Sequence, residues 1–125
     1  MILLDTPVWV DHLRRSNPLV VRVLESGEAA VHAFVIGELA CGNLKSRARV
    51  IDLLQALPRL AMATDDEVLY FIDRHKLMGR GIGYVDTHLL AAVAIGSSLL
   101  WTADKRLREI ATELGIAYLQ AGQAR

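Results

Sequence analysis

The chain has 125 residues, 53% hydrophobic and 22% charged, a size and composition that suit one packed core and exclude a disordered segment. Fourteen Lys and Arg balance fourteen Asp and Glu, so no bulk positive field draws the chain toward nucleic acid, and any such binding has to come from local patches. The single Cys41 excludes an intrachain disulfide and a zinc knuckle, and the lack of an N-terminal apolar leader or of any apolar run of about 18 residues predicts a soluble, cytoplasmic protein without membrane contact.

Short apolar runs alternate with segments of helical period, which predicts one α/β domain over residues 1–125. Its central sheet should be mainly parallel, with four to five strands and helices on both faces. Ile2-Leu3-Leu4 reads as the first buried strand, and Thr6-Pro7 then starts a helix through about Arg15. Asn17-Pro18 starts a second helix that ends near Gly27, followed by a short strand from Ala29 to His32 and a helix from Phe34 to Gly42. Ser46 opens an amphipathic helix closed by Pro58, and Leu60 to Ala63 is a candidate strand. Thr64-Asp65-Asp66-Glu67 has the pattern of a capping box for a helix from Asp65 to about Met78. The glycines at 79, 81 and 83 deliver the chain into a nearly wholly apolar helix that begins around Val85-Asp86. Ser98 to Trp101 reads as a strand, Asp104 to Leu114 as a helix stopped by Gly115, and Ile116 to Leu119 as a last strand.

Four acids stand where a charge is awkward. Asp5 ends the first strand, Glu38 lies among Val35-Ile36 and Leu39-Ala40, Asp86 opens the most apolar helix, and Asp104 follows the strand at Leu99-Leu100-Trp101. Side chains just past the carboxyl ends of parallel strands gather in one crevice, which brings Asp5 and Asp104 together, with Asp86 and Glu38 able to reach them. Crowded carboxylates repel, and an apolar surround raises the cost of keeping them ionised, so the cluster calls for cations. Oxygen-only donors suit Mg²⁺ or Mn²⁺, which acidify water and neutralise charge on a phosphodiester. Helix capping explains Asp5, Asp86 and Asp104 about as well when each is taken singly. Glu38, in the middle of a helix, lacks that explanation, and the four together favour a site.

The blocks that carry these acids also resemble a known family, from Met1 to about Leu119. Met1-Ile2-Leu3-Leu4-Asp5-Thr6-Pro7-Val8-Trp9 resembles the opening of PIN-domain toxins of the VapC type, and Phe34-Val35-Ile36-Gly37-Glu38-Leu39 resembles their second acidic block. The stretches from Gly81 to Ala91 and from Leu100 to Leu107 are similar to the third and fourth. The resemblance implies a PIN-like fold and a Mg²⁺- or Mn²⁺-dependent endoribonuclease. It also implies a toxin held inactive by a cognate VapB-type antitoxin. It makes Asp5, Glu38, Asp86 and Asp104 the catalytic and metal-binding quartet, with Thr6 and Thr102 as supporting hydroxyls. Some relatives place a further acid near the position of Arg106, which leaves one or two metals open.

Arg14, Arg15, Arg80, Lys105 and Arg106, with Lys45, Arg47 and Arg49, fall beside the acidic blocks, where they would grip RNA phosphates or simply form a solvated face. Asp65, Asp66 and Glu67 are explained by capping, His88 by ordinary helix packing, Cys41 by burial as a small thiol, and Trp9 and Trp101 by the core. Apolar positions on the helices from Ser46 and Asp65 exceed what a small sheet can cover, which predicts a homodimer. Two rival readings are a phosphoryl-transfer domain with Asp5 as nucleophile and a non-catalytic PIN-like interaction module. The first would want an acid where Pro7 stands, and the second gives no reason for four acids.

Overall fold

The protein is described by a computed structural model over residues 1–120; the last five residues of the predicted domain lie outside the described residues. The elements run β1 (Ile2–Leu4), α1 (Thr6–Arg15), α2 (Pro18–Glu25), β2 (Ala29–Ala30), α3 (Ala33–Cys41) and α4 (Arg47–Ala56). They continue with α5 (Asp65–His75), α6 (Tyr84–Ile95), β3 (Leu99–Trp101) and α7 (Lys105–Glu113). The strands form one parallel sheet in the order β2-β1-β3. The chain thus leaves β1 toward β2 on one side and returns through α6 to β3 on the other, so the connections diverge at β1, where a crevice opens in such sheets.

All three residues of β1 are buried, as an apolar run with a sheet neighbour on each side requires. One core cluster joins them to Val8 and Trp9 of α1, Val20 and Val23 of α2, Leu89 and Leu90 of α6 and Leu107 and Ile110 of α7. Helix α6 buries seven consecutive residues, Thr87 to Val93, so its apolar sequence reflects enclosure on most sides. Local signals set the helix starts. Asn17 Oδ1 accepts from Leu19 N at the head of α2. At α5 the capping box is complete, with Glu67 N donating to Thr64 Oγ1 and Thr64 N donating to Glu67 Oε1.

Several boundaries differ from the sequence expectation. The sheet has three strands; of the two further expected ones, Ile116 to Leu119 is reduced to a single bridge of Ala117 with Leu100, and Leu60 to Ala63 forms none, the bridge to Val31 falling at Arg59 just before it. Past Arg59 the chain exposes Ala61 and Met62 and turns into the α5 cap, so Leu60 to Ala63 does not pair further. Helix α5 stops at His75, three residues before Met78, because Lys76 enters the left-handed region at φ 53° and Leu77 N bonds back to Ile72 O. Cys41 ends α3 exposed rather than buried.

Since Leu3 is fully buried in the central strand, Leu3→Ala should lower unfolding free energy by about 2–5 kcal/mol. Urea denaturation checks this, and a loss below about 1 kcal/mol would mean that β1 is not the keystone of the core.

Candidate active site

Strand register brings the first pair together. In the parallel β1–β3 ladder Leu4 faces Trp101, and Asp5 N donates to Trp101 O at 2.9 Å. The next residues along, Asp5 and Thr102, therefore emerge side by side at the carboxyl edge. Thr102 Oγ1 donates to Asp5 Oδ2 at 2.9 Å and accepts from Asp104 N at 3.1 Å. One hydroxyl thus ties the acid after β1 to the backbone of the acid after β3. Asp5 is only 5% exposed; its Oδ1 accepts from Thr6 N at 2.7 Å as α1 begins. Asp104 caps α7 by accepting from Leu107 N through Oδ1, and its Oδ2 has no hydrogen-bond partner among the described residues.

The other two acids come from helices. Glu38 lies on the outer face of α3, exposed, with Val35, Ile36 and Leu39 turned into the core. Its apolar sequence neighbours therefore do not surround it in space. Thr6 Oγ1 donates to Glu38 Oε1 at 2.6 Å, which links the start of α1 to α3. Asp86 is half-buried in the first turn of α6, and its Oδ2 accepts from Gly83 N at 3.3 Å. Helix capping is thus part of what Asp5, Asp86 and Asp104 do, alongside their convergence.

The electrostatics register that convergence. Burial, above all, raises the Asp5 carboxyl above its ordinary value, and the charges of Asp86 and Glu38 add to this against the hydrogen bonds from Thr102 and Thr6. Asp86 is raised chiefly by burial too, then by Asp104 and Glu38, and is relieved in part by Gly83 N. Each acid therefore feels at least one other of the four.

Among the described residues no three carboxylates stand close enough together to form a ready-made cage. The donor chemistry nevertheless fits a hard divalent ion. Every donor is oxygen, and Glu38 Oε2, Asp86 Oδ1 and Asp104 Oδ2 have no hydrogen-bond partner among the described residues. Mg²⁺ characteristically keeps several waters and takes only one or two carboxylates directly, so an open arrangement of mutually repelling acids suits it better than a tight one.

The flanking residues sort themselves by what they already hold. Arg15 pairs with Asp11, Arg80 with Glu113, and the Arg47 guanidinium donates to Ala40 O at the end of α3. Arg106 packs against Gly81, whose φ of +82° is a backbone conformation that favours glycine. Lys105 is exposed beside Asp104, and Arg14 lines a cleft that also touches Thr6 and Glu38.

His88 is buried rather than available to a ligand, with Nε2 3.4 Å from Asp65 Oδ1 and the Tyr84 ring against its edge. The same Asp65 oxygen accepts from Tyr84 OH at 3.0 Å, a role that capping did not suggest and that no local signal announces. His32, also buried, accepts from Phe34 N through Nδ1 and is pushed by burial to about 4, so it stays neutral at physiological pH.

The family described as PIN domain matches residues 2–113. Over 118 residues the chain is 48% identical to a protein named Ribonuclease VapC32 in two strains of Mycobacterium tuberculosis, a match that covers 94% of this chain and 95% of that protein. Two solved structures share the fold. The crystal structure of FitAcB from Neisseria gonorrhoeae matches with a TM-score of 0.59 and 23% identity, over 90% of this chain and 94% of that one. The structure of FitAB bound to IR36 DNA fragment matches with a TM-score of 0.58 and 20% identity, over 98% and 100%. At these identities the two structures speak for the fold alone.

The raised Asp5 carboxyl has a consequence for stability. An acid whose folded value lies above its unfolded one binds protons more readily in the folded state, so it destabilises the fold at neutral pH and this penalty fades as pH falls through the folded value. In chelator at pH 7, Asp5→Asn should therefore melt at a higher temperature than the parent, and the gap should close as pH is lowered toward 4. Calorimetry across that range checks it; a variant that melts lower at pH 7 would contradict the sign.

Proposed function

The chain belongs to the PIN domain family, and from that premise we propose that it is a metal-dependent endoribonuclease of the VapC type, the toxin of a toxin-antitoxin pair. The observation that carries this reading is the Thr102 hydroxyl, which joins Asp5 to Asp104 at the switch point of a parallel sheet with Asp86 and Glu38 in electrostatic reach. The relative named a ribonuclease supports it across almost the whole chain.

Asp5, Asp86 and Asp104 would hold the cation, Mg²⁺ or Mn²⁺, with Glu38 beside them. When bound, such an ion supplies positive charge next to the phosphodiester and acidifies water. The chain's own residues do the rest. Thr102 fixes the Asp5 carboxylate, and Thr6 fixes one oxygen of Glu38. The remaining oxygen of Glu38 orients the water and takes its proton as it attacks phosphorus; the P–O3′ bond breaks, and the 3′ oxyanion leaves and is protonated by solvent water. Burial of Asp5 and Thr102 excludes water from the back of the site, so the Asp5 carboxylate acts at a lower effective dielectric than the exposed Glu38 and Asp104.

The VapC family implies an antitoxin partner. On this reading a VapB-type antitoxin inhibits by presenting Arg or Lys to the acidic crevice, where a cation replaces the metal's charge. A homodimer is proposed on the exposed apolar side chains Leu69 and Tyr70 of α5, 55% and 68% exposed. No helix among the described residues is long and apolar enough to cross a membrane.

The test is cleavage of total RNA in Mn²⁺ with new 5′ ends mapped. The parent should cut at defined positions, and Asp5→Asn and Asp104→Asn should abolish cutting with circular dichroism unchanged. Thr102→Val should slow it by about 10–100-fold, the scale expected for losing a residue that orients a ligand. Full activity of Asp5→Asn would overturn the assignment.

A further inference from the structure

A cleft of about 520 Å³ runs from the acidic crevice between α1, α3 and the loop that joins α3 to α4. Its lining includes Thr6 and Glu38, apolar surface from Val10 and Leu44, and the polar Arg14, Asn43 and Lys45. Its size falls within the range of about 300–1,000 Å³ that encloses small organic ligands. We infer that this cleft seats one unpaired nucleotide of the RNA beside the scissile bond, with Arg14 and Lys45 on its phosphates and Asn43 at the base edge. The inference rests on the ribonuclease reading and adds where the substrate is held and what selects it.

Three observations point to this occupant. The cleft is continuous with the proposed site, because Thr6 and Glu38, already hydrogen-bonded to each other, belong to both. Its chemistry is divided as a nucleotide is divided, with apolar walls for the faces of a base and two cations for phosphates. Those cations are also uncommitted. Arg15, Arg80 and Arg47 are spent on Asp11, Glu113 and the end of α3, whereas Arg14 and Lys45 have no ion pair or hydrogen bond among the described residues, and neither does the Asn43 side chain.

Distance assigns Arg14 to a flanking phosphate rather than the scissile one. It lies eight residues after Thr6, about 12 Å along the α1 axis at the helical rise, and both residues line the cleft. A base that enters such a cleft has to leave its stack, so the arrangement selects single-stranded RNA over duplex. The amide of Asn43 offers both donor and acceptor to a base edge and makes it the specificity-determining residue.

The experiment uses the full chain in three assays. The first is fluorescence anisotropy of a single-stranded oligoribonucleotide, and of its duplex, in chelator. The second is steady-state cleavage of the same strand in Mn²⁺. The third is hydrolysis of bis(p-nitrophenyl) phosphate, a phosphodiester with no flanking nucleotide. The double variant Arg14→Ala/Lys45→Ala should weaken binding of the single strand, raise KM at least about tenfold with kcat nearly unchanged, and lower the log–log salt slope of binding by about 1.4, two single-strand phosphate contacts. Its hydrolysis of the small diester should equal the parent's. Asn43→Ala should change the base preferred next to the cut, and duplex should bind more weakly than single strand. Unchanged binding and KM in the double variant would overturn the inference while the intact small-diester activity left the ribonuclease reading standing. A parent that cleaves neither substrate would overturn both.

Discussion

The parallel register between β1 and β3 is the constraint from which the site follows. Because Leu4 lies opposite Trp101, the chain has no choice but to release Asp5 and Thr102 next to each other at the same sheet edge. The hydroxyl of Thr102 then does two things that a larger or apolar residue would not. It satisfies a nearly fully buried carboxylate, and it holds the turn that presents Asp104. A slip of one residue in this ladder would carry Asp5 away from Thr102 and break the contacts that β1 makes with the core on both of its faces.

That geometry sets stability against chemistry. A folding unit alone would place Asn or Ser where Asp5 stands, since burial and the neighbouring charges of Asp86 and Glu38 make its ionised form unfavourable. The fold tolerates the acid because the surrounding core is dense. Strand β1 is fully enclosed, α6 is buried along more than half its length, and the polar atoms of the site are tied by Thr6, Thr102 and backbone N–H groups. On the proposed reading a divalent ion held there would turn the same repulsion into attraction, so the feature that weakens the bare fold would be the one that serves phosphodiester chemistry.

Much of this was legible in the sequence, for identifiable reasons. The apolar run Ile2-Leu3-Leu4, the Asn17-Pro18 start and the Thr64 to Glu67 capping box are local signals, and each forms where its pattern predicts. The edge segments at Leu60 and Ile116 are apolar enough to read as strands, but pairing needs a partner, and the chain bridges only at Arg59, before the first, and at Ala117, within the second. The end of α5 turned on the left-handed Lys76, for which a non-glycine residue gives no warning. In sequence, the apolar neighbours of Glu38 suggest that they enclose it. The helix turns those neighbours inward and leaves Glu38 exposed, so what marks it in space is the hydrogen bond from Thr6. The link from Asp65 to Tyr84 and His88, and the cleft shared by α1 and the loop after α3, arise only when distant segments meet, and no spacing rule contains them.

The most direct measurement is an anomalous difference map from crystals of the full chain grown at neutral pH with Mn²⁺. A peak within coordination distance of Asp5 and at least one of Asp86 and Asp104, directly or through an ordered water, is the predicted result. A peak elsewhere on the molecule, or carboxylates that face apart with no density between them, would contradict the claim that these acids form one cation site.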